Sequence, residues 1–201
     1  MYASLIALIL SMVPASTSHV DQPLFLFPVA CTPGKSCLIQ KLVDHDPGPG
    51  RRDFRCGTLT TDGHDGTDIR LRTMADLKAG FAVLAAAPGR VLRTRDGEPD
   101  ISVEDRPDLG GKEAGNAVVI DHGGGWETQY SHLRQGSVRV RPGQTLTAGQ
   151  PVGLIGLSGN TEFPHLHFSI RHHGVVVDPF TATAAASPCT VQTAPAPLWA
   201  P

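Results

Sequence analysis

Two histidines separated by a single residue, in Pro164-His165-Leu166-His167-Phe168, put side chains of the right type at a spacing that could do chemistry. In a β-strand, residues i and i+2 share a face. Both imidazoles would then project into one space, with Leu166 and Phe168 turned to a core behind them. Neutral imidazole serves as a transition-metal ligand and as a general base. An exposed strand face that happens to carry two histidines would read the same in isolation, so the rest of the chain decides.

Further candidates stand at three other places. Gly63-His64-Asp65-Gly66-Thr67-Asp68 carries His64 and Asp68 four residues apart. Its glycines argue against a helix, so this is a loop feeding a strand, a common place for groups held by a rigid scaffold. His132 ends a strand that returns from Trp126, and its parity with Thr128 and Tyr130 predicts that it shares their face. His122 sits beside the glycines of the preceding turn and is expected to be solvated. His172 and His173 are adjacent, point opposite ways in any strand, and read as turn residues before Gly174. His64, Asp68, His132, His165 and His167 together offer imidazoles and one carboxylate, the donor composition of a catalytic zinc site that leaves a position open. Zinc lowers the pKa of water towards ~7 and polarises carbonyls. Imidazoles left over would carry protons or donate to an oxyanion. Spacing alone leaves open which of them bind.

Positioning these groups falls to many short strands. The chain has 22 glycines, 17 prolines and only 5% aromatic residues, a composition suited to strands joined by tight turns. Strand patterns cover 37–43, 79–91 on either side of Pro88-Gly89, 118–121 with its hairpin partner 126–133, and 141–155. Ala79–Val83 and Ala148–Val152 echo one another faintly, compatible with a sheet built from two related halves. Residues 94–114 lack periodicity and read as a long surface loop. At 201 residues and 40% hydrophobic content the chain can bury one sizeable core.

The segment Leu5–Val13 followed by Val13-Pro14-Ala15 has the form of a signal-peptide core and cleavage site, and is too short to span a bilayer comfortably. Residues 1–18 are therefore expected to be a signal peptide, 19–55 an N-terminal arm, 56–180 the compact domain, and 181–201 a tail that is linker apart from Cys189. Four cysteines, with no Cys-x-x-Cys pair, favour two disulfides in an oxidising compartment. Of three connectivities, Cys31–Cys37 and Cys56–Cys189 are preferred. The net charge of −2 gives no electrostatic attraction to nucleic acid or anionic membranes.

His64-x-x-x-Asp68, Tyr130-Ser131-His132-Leu133 and His165-x-His167, in this order, resemble the M23 family of zinc metallopeptidases, the LytM- and lysostaphin-like peptidoglycan endopeptidases. The Gly115-Asn116 to Gly123 hairpin and the glycines from 149 to 159 are similar to that family too. The resemblance covers about Gly63 to Phe180. It implies Zn2+ held by His64, Asp68 and His167, with His132 and His165 as the catalytic pair, and water activated by zinc attacking a peptide carbonyl. It also implies a mainly β fold, an antiparallel sheet or sandwich of the duplicated-hybrid-motif type with few or no helices. The expected partner is the peptide stem of peptidoglycan, without nucleic acid and without a transmembrane segment in the mature chain, in a secreted or periplasmic setting. One departure stands out: where some members place a tyrosine hydroxyl upstream of the first histidine, this chain has Phe54-Arg55. The alternatives are a non-catalytic wall-binding or regulatory domain of the same shape, and a metal-storage or transport site.

Overall fold

The computed structural model describes residues 22–187, 189 and 197–200. The expected signal peptide, residues 1–18, lies outside them. Strands dominate: β1 (Cys37–Lys41), β2 (Thr67–Leu71), β3 (Ala82–Leu84), β4 (Gly89–Arg95), β5 (Asn116–Gly123), β6 (Trp126–Leu133), β7 (Thr145–Leu146), β8 (Pro151–Leu154), β9 (His165–His172), β10 (Val175–Asp178) and β11 (Thr183–Ala184). One helix, α1 (Asp76–Ala79), ends at Gly80 in the left-handed conformation. The large sheet runs β1-β2-β9-β6-β5-β4-β7, with β10 taking over from β2 along the same edge of β9 and β11 beyond it. Every strand pair is antiparallel. The mainly β, antiparallel architecture expected from the sequence is therefore what the chain adopts.

Alternation explains the central strands. Leu166, Phe168 and Ile170 of β9, Val118 and Ile120 of β5, and Tyr130 of β6 are all buried on one face of the large sheet. A buried side chain of this size contributes ~1.5–3 kcal/mol. Their cover is the small sheet of β3 and β8, whose Val83 and Val152 enter the same core. The two segments that echo one another in sequence thus feed the two strands that pair, with Ala82 opposite Leu154 and Val83 opposite Gly153.

The first and last described segments close the core. Phe25 and Leu198 are fully buried, joined by a hydrogen bond from Phe25 N to Leu198 O of 2.7 Å. Trp199 packs on Phe27, Phe168 and Phe180. This corrects the reading of 181–201 as linker: residues 183–184 extend the sheet and 197–200 fill the core, because Leu198 and Trp199 are apolar and large among small neighbours. β1, from the segment read as an arm, pairs along β2 at the sheet edge. Cys31–Cys37 and Cys56–Cys189 are the disulfides, the preferred connectivity.

His122 is also corrected. Its Nδ1 donates to Pro88 O (2.7 Å), its Nε2 is hydrogen-bonded to Thr128 Oγ1 (2.8 Å), the ring stands edge-on to Phe25, and burial lowers its pKa. Thr128 continues to Tyr130 Oη, which accepts from Ala86 N, so a polar thread links the two sheets. His172 ends β9 stacked on Trp126, and His173 sits in the turn with φ 50°; neither enters the cleft described next.

Candidate metal centre and catalytic cleft

β2 and β9 set Asp68 directly opposite His167, and β6 adds Ser131 opposite His167 on the other side. Directly opposed residues share a face, so these three side chains form a row over the large sheet, away from the core. His165 precedes His167 by two residues and joins them, as its parity predicts. The cleft over this row has a volume of about 510 Å³. Gln40 and Thr61 line one wall, and Val103, Glu113 and the 160–163 loop the other. Val103 and Glu113 of that wall belong to the long surface loop of residues 94–114. It is pinned by Leu157 N donating to Asp100 Oδ1 (2.8 Å), Gly136 N to Asp96 Oδ1 (2.8 Å) and Val103 N to Thr161 O (3.0 Å).

His132 reaches this cleft against expectation. Thr128 and Tyr130 are buried on the core side, whereas His132 lines the cleft beside Gln129 and Ser131. The cause is its backbone: His132 has φ 60°, a left-handed conformation that breaks the strand's alternation at its last turn. Such conformations in non-glycine residues cost ~1–3 kcal/mol and persist where surroundings enforce them. Here His132 N donates to Ala114 O (2.9 Å) and Gly156 N to His132 O (3.0 Å).

Each imidazole has one nitrogen committed to an oxygen at the periphery. His64 Nδ1 donates to Leu42 O (2.7 Å), His132 Nδ1 to Ser158 O (2.8 Å) and His165 Nδ1 to Phe163 O (2.9 Å). A carbonyl only accepts, so each Nδ1 carries its hydrogen and each Nε2 is left to the cleft. His167 is oriented the other way: its Nε2 donates to Asp65 Oδ1 (3.0 Å) and its Nδ1 faces Asp68 Oδ1 (2.9 Å). His64 Nε2 lies 3.1 Å and His165 Nε2 3.5 Å from the same oxygen. His132 and His165 face each other with ring centroids 4.7 Å apart.

The donor set fits a metal ion. Ligand atoms of His64, Asp68 and His167 lie within 4.8 Å of one another, and no other such group is found among the described residues. Two imidazole nitrogens with outer nitrogens already hydrogen-bonded, and a carboxylate largely buried between them, are donors of the kind that would hold a divalent metal ion. Charges agree. Burial would raise Asp68, but hydrogen bonds from His167 and His64 outweigh it and hold the carboxyl well below the usual range. Burial would lower His167, yet hydrogen bonds to Asp65 and Asp68 raise it to about 9. Burial pushes His132 well below its ordinary value, with the charges of His165 and His167 adding to it. His165 is lowered chiefly by burial.

The M23 peptidase family profile matches residues 62–179, more than half of the chain. The chain belongs to peptidase family M23. The peptidoglycan DD-endopeptidase ShyA of Vibrio cholerae is 33% identical over 119 residues, 59% of this chain and 23% of that protein. The cell division protein DipM of Caulobacter vibrioides is 32% identical over 99 residues, 49% of this chain and 15% of that protein. The match thus spans less than a quarter of either relative. A zinc-containing peptidase from Vibrio cholerae aligns in structure with a TM-score of 0.53 and 25% identity, over 83% of this chain and 40% of that one. Within the family frame, Phe54 stacks on Phe180 outside the cleft, so it supplies nothing where some members place a tyrosine.

Two cleft residues were missed by sequence reading. Gln40 sits at a β-bulge where the β1–β2 register shifts between Ile39, paired with Ile69, and Lys41, paired with Asp68. Bulges re-aim side chains beside sites, but no sequence signal marks this one. Asp65 falls within the His64-x-x-x-Asp68 spacing, next to His64, and its type alone marks it as a possible partner of the site.

Proposed function

We propose that this chain is a zinc-dependent endopeptidase that hydrolyses peptide cross-links of bacterial peptidoglycan, working outside the cytoplasm as a secreted or periplasmic protein. One observation carries the reading: His64 Nε2, His167 Nδ1 and Asp68 Oδ1 converge, with the Nε2 atoms of His132 and His165 turned into the same cleft. Family membership and the peptidoglycan endopeptidase among the relatives support the substrate class. Among the described residues no helix is long and apolar enough to cross a membrane.

His64, Asp68 and His167 would hold the metal, and when bound, zinc supplies a Lewis acid and lowers the pKa of water towards ~7. His132 and His165 have depressed pKa values and are neutral near pH 7, so each presents an Nε2 lone pair able to accept the proton of an attacking water. Once protonated, the same atom donates to the oxyanion that develops at the scissile carbonyl, or returns the proton to the leaving amine. Ser158 O and Phe163 O keep both rings in the tautomer this requires. Gln40 lines the cleft beside His64 and Asp68 and contributes to substrate binding by hydrogen bonding to the peptide backbone.

The test pairs metal analysis with hydrolysis of purified wall. His167→Ala is expected to abolish both zinc content and fragment release. His132→Ala and His165→Ala should keep the metal and lose ~10²–10⁴-fold in rate. Hydrolysis that persists without zinc would sink the proposal, and wall binding with no fragments released by the zinc-loaded parent would mark a non-catalytic module instead.

A further inference from the structure

We infer that Asp65 and Arg171 form a relay behind His167 that fixes this metal ligand's orientation and strengthens its donor nitrogen. The inference rests on the reading of His167 as a ligand and extends it to residues outside the motif set. Asp65 Oδ1 accepts from His167 Nε2 at 3.0 Å. Its other oxygen, Oδ2, accepts from Arg171 Nη2 at 2.6 Å. Arg171 Nη1 in turn donates to Ser169 Oγ at 3.0 Å. His165, His167, Ser169 and Arg171 share strand parity on β9, so the sheet itself aims the guanidinium along the row towards the ligand.

The loop between the two motif residues is folded around the His167 ring. A Cβ at Gly66 would stand 2.7 Å from His167 Nε2 and 2.7 Å from Phe168 O, so the backbone passes flush against the imidazole. From that position His64 reaches the centre from one side, Asp68 from below, and Asp65 turns outward to the far nitrogen. A lone exposed ion pair between Asp65 and Arg171 would be worth little. The bond to the ring makes it more: a carboxylate on the outer N–H of a ligating histidine fixes the tautomer, leaves Nδ1 free for the metal and raises its basicity.

Zinc affinity, measured by chelator competition on the full chain, tests this independently of activity. Asp65→Asn and Asp65→Ala are expected to weaken zinc binding by ~10–100-fold, and Arg171→Met by less, in the same direction. Melting of the metal-free proteins separates a ligand effect from a folding effect. If Asp65→Ala fails to fold, Arg171→Met carries the test, since it leaves the carboxylate in place but frees it. Unchanged zinc affinity in the folded Asp65 variants, or in Arg171→Met where they do not fold, overturns the relay. His167→Ala serves as the control that keeps the two readings apart: if it loses zinc while Asp65→Ala does not, only the relay fails, and if it retains zinc, the metal centre itself is wrongly placed.

Discussion

His64, His132, His165 and His167 each give one nitrogen to an oxygen at the edge of the cleft and the other to its centre, and that division of duties is the basis of the site. It makes the site sensitive to sub-ångström changes behind the rings. Gly66→Ala adds one methyl at 2.7 Å from His167 Nε2 and should displace the ring. The expected outcome is zinc affinity reduced by ~10-fold or more with the fold retained, measured by chelator competition and melting. Gln40→Ala should leave zinc content unchanged and raise KM by ~5–10-fold, the effect of losing ~1–1.5 kcal/mol of hydrogen bonding to substrate. At this scale the sequence was legible wherever side-chain parity holds, as at His165 and His167. It was not legible at His132, because a left-handed φ is a property of the loops packed around it, Ala114 and Gly156, rather than of the residue. Nor could it show Gln40, whose aim depends on a bulge.

Among elements, the decisive one is the β2–β9 pair, since a one-residue slip of β2 would send Asp68 to the core and leave His167 without it. The register is pinned by Ile69 opposite Leu166, both fully buried. Hydrophobic alternation of this kind was visible in the chain, whereas the order in which strands neighbour one another was not. A second tie holds β10 to the segment before β2: His45 Nε2 lies 2.9 Å from Asp178 Oδ2, both deeply buried. Burial would lower His45, but the hydrogen bond to Asp178, then that to Ser187 O, raises it above 6.5. A raised pKa in the folded state gives stability that is fully present below pH ~6.5 and is lost as pH rises through the folded value. Asp178→Asn should therefore destabilise by ~3–5 kcal/mol at acid pH, where His45 is charged, and by clearly less above its folded pKa. Denaturant unfolding across that range measures it, and a cost independent of pH would contradict the assignment.

Over the whole molecule, stability comes from a core shared between the two sheets and the segments around Phe25 and Leu198. Leu198→Ala should cost ~2–5 kcal/mol by the cavity it leaves. Opening Cys56–Cys189, which joins residues 133 apart, should cost ~5 kcal/mol by the chain-entropy argument, against ~2 kcal/mol for Cys31–Cys37, which joins residues 6 apart. Unfolding of the two Cys→Ser pairs compares them directly. Composition announced a β-rich single core, and motif order announced the cleft. The Ala-, Pro- and Thr-rich tail concealed its contribution, because the few apolar residues that matter, Leu198 and Trp199, follow a long stretch with no period.

The bridge between Phe25 and Trp199 brings the first and last described segments side by side, packed on the core rather than lining the cleft. Topologically the domain is almost a ring. Joining its ends by a short linker and cutting it anew within the exposed 108–111 turn would give a circular permutant with the same contacts in a different order. Such a permutant is expected to fold, and to leave its cleft clear of whatever is fused or tethered at the old ends.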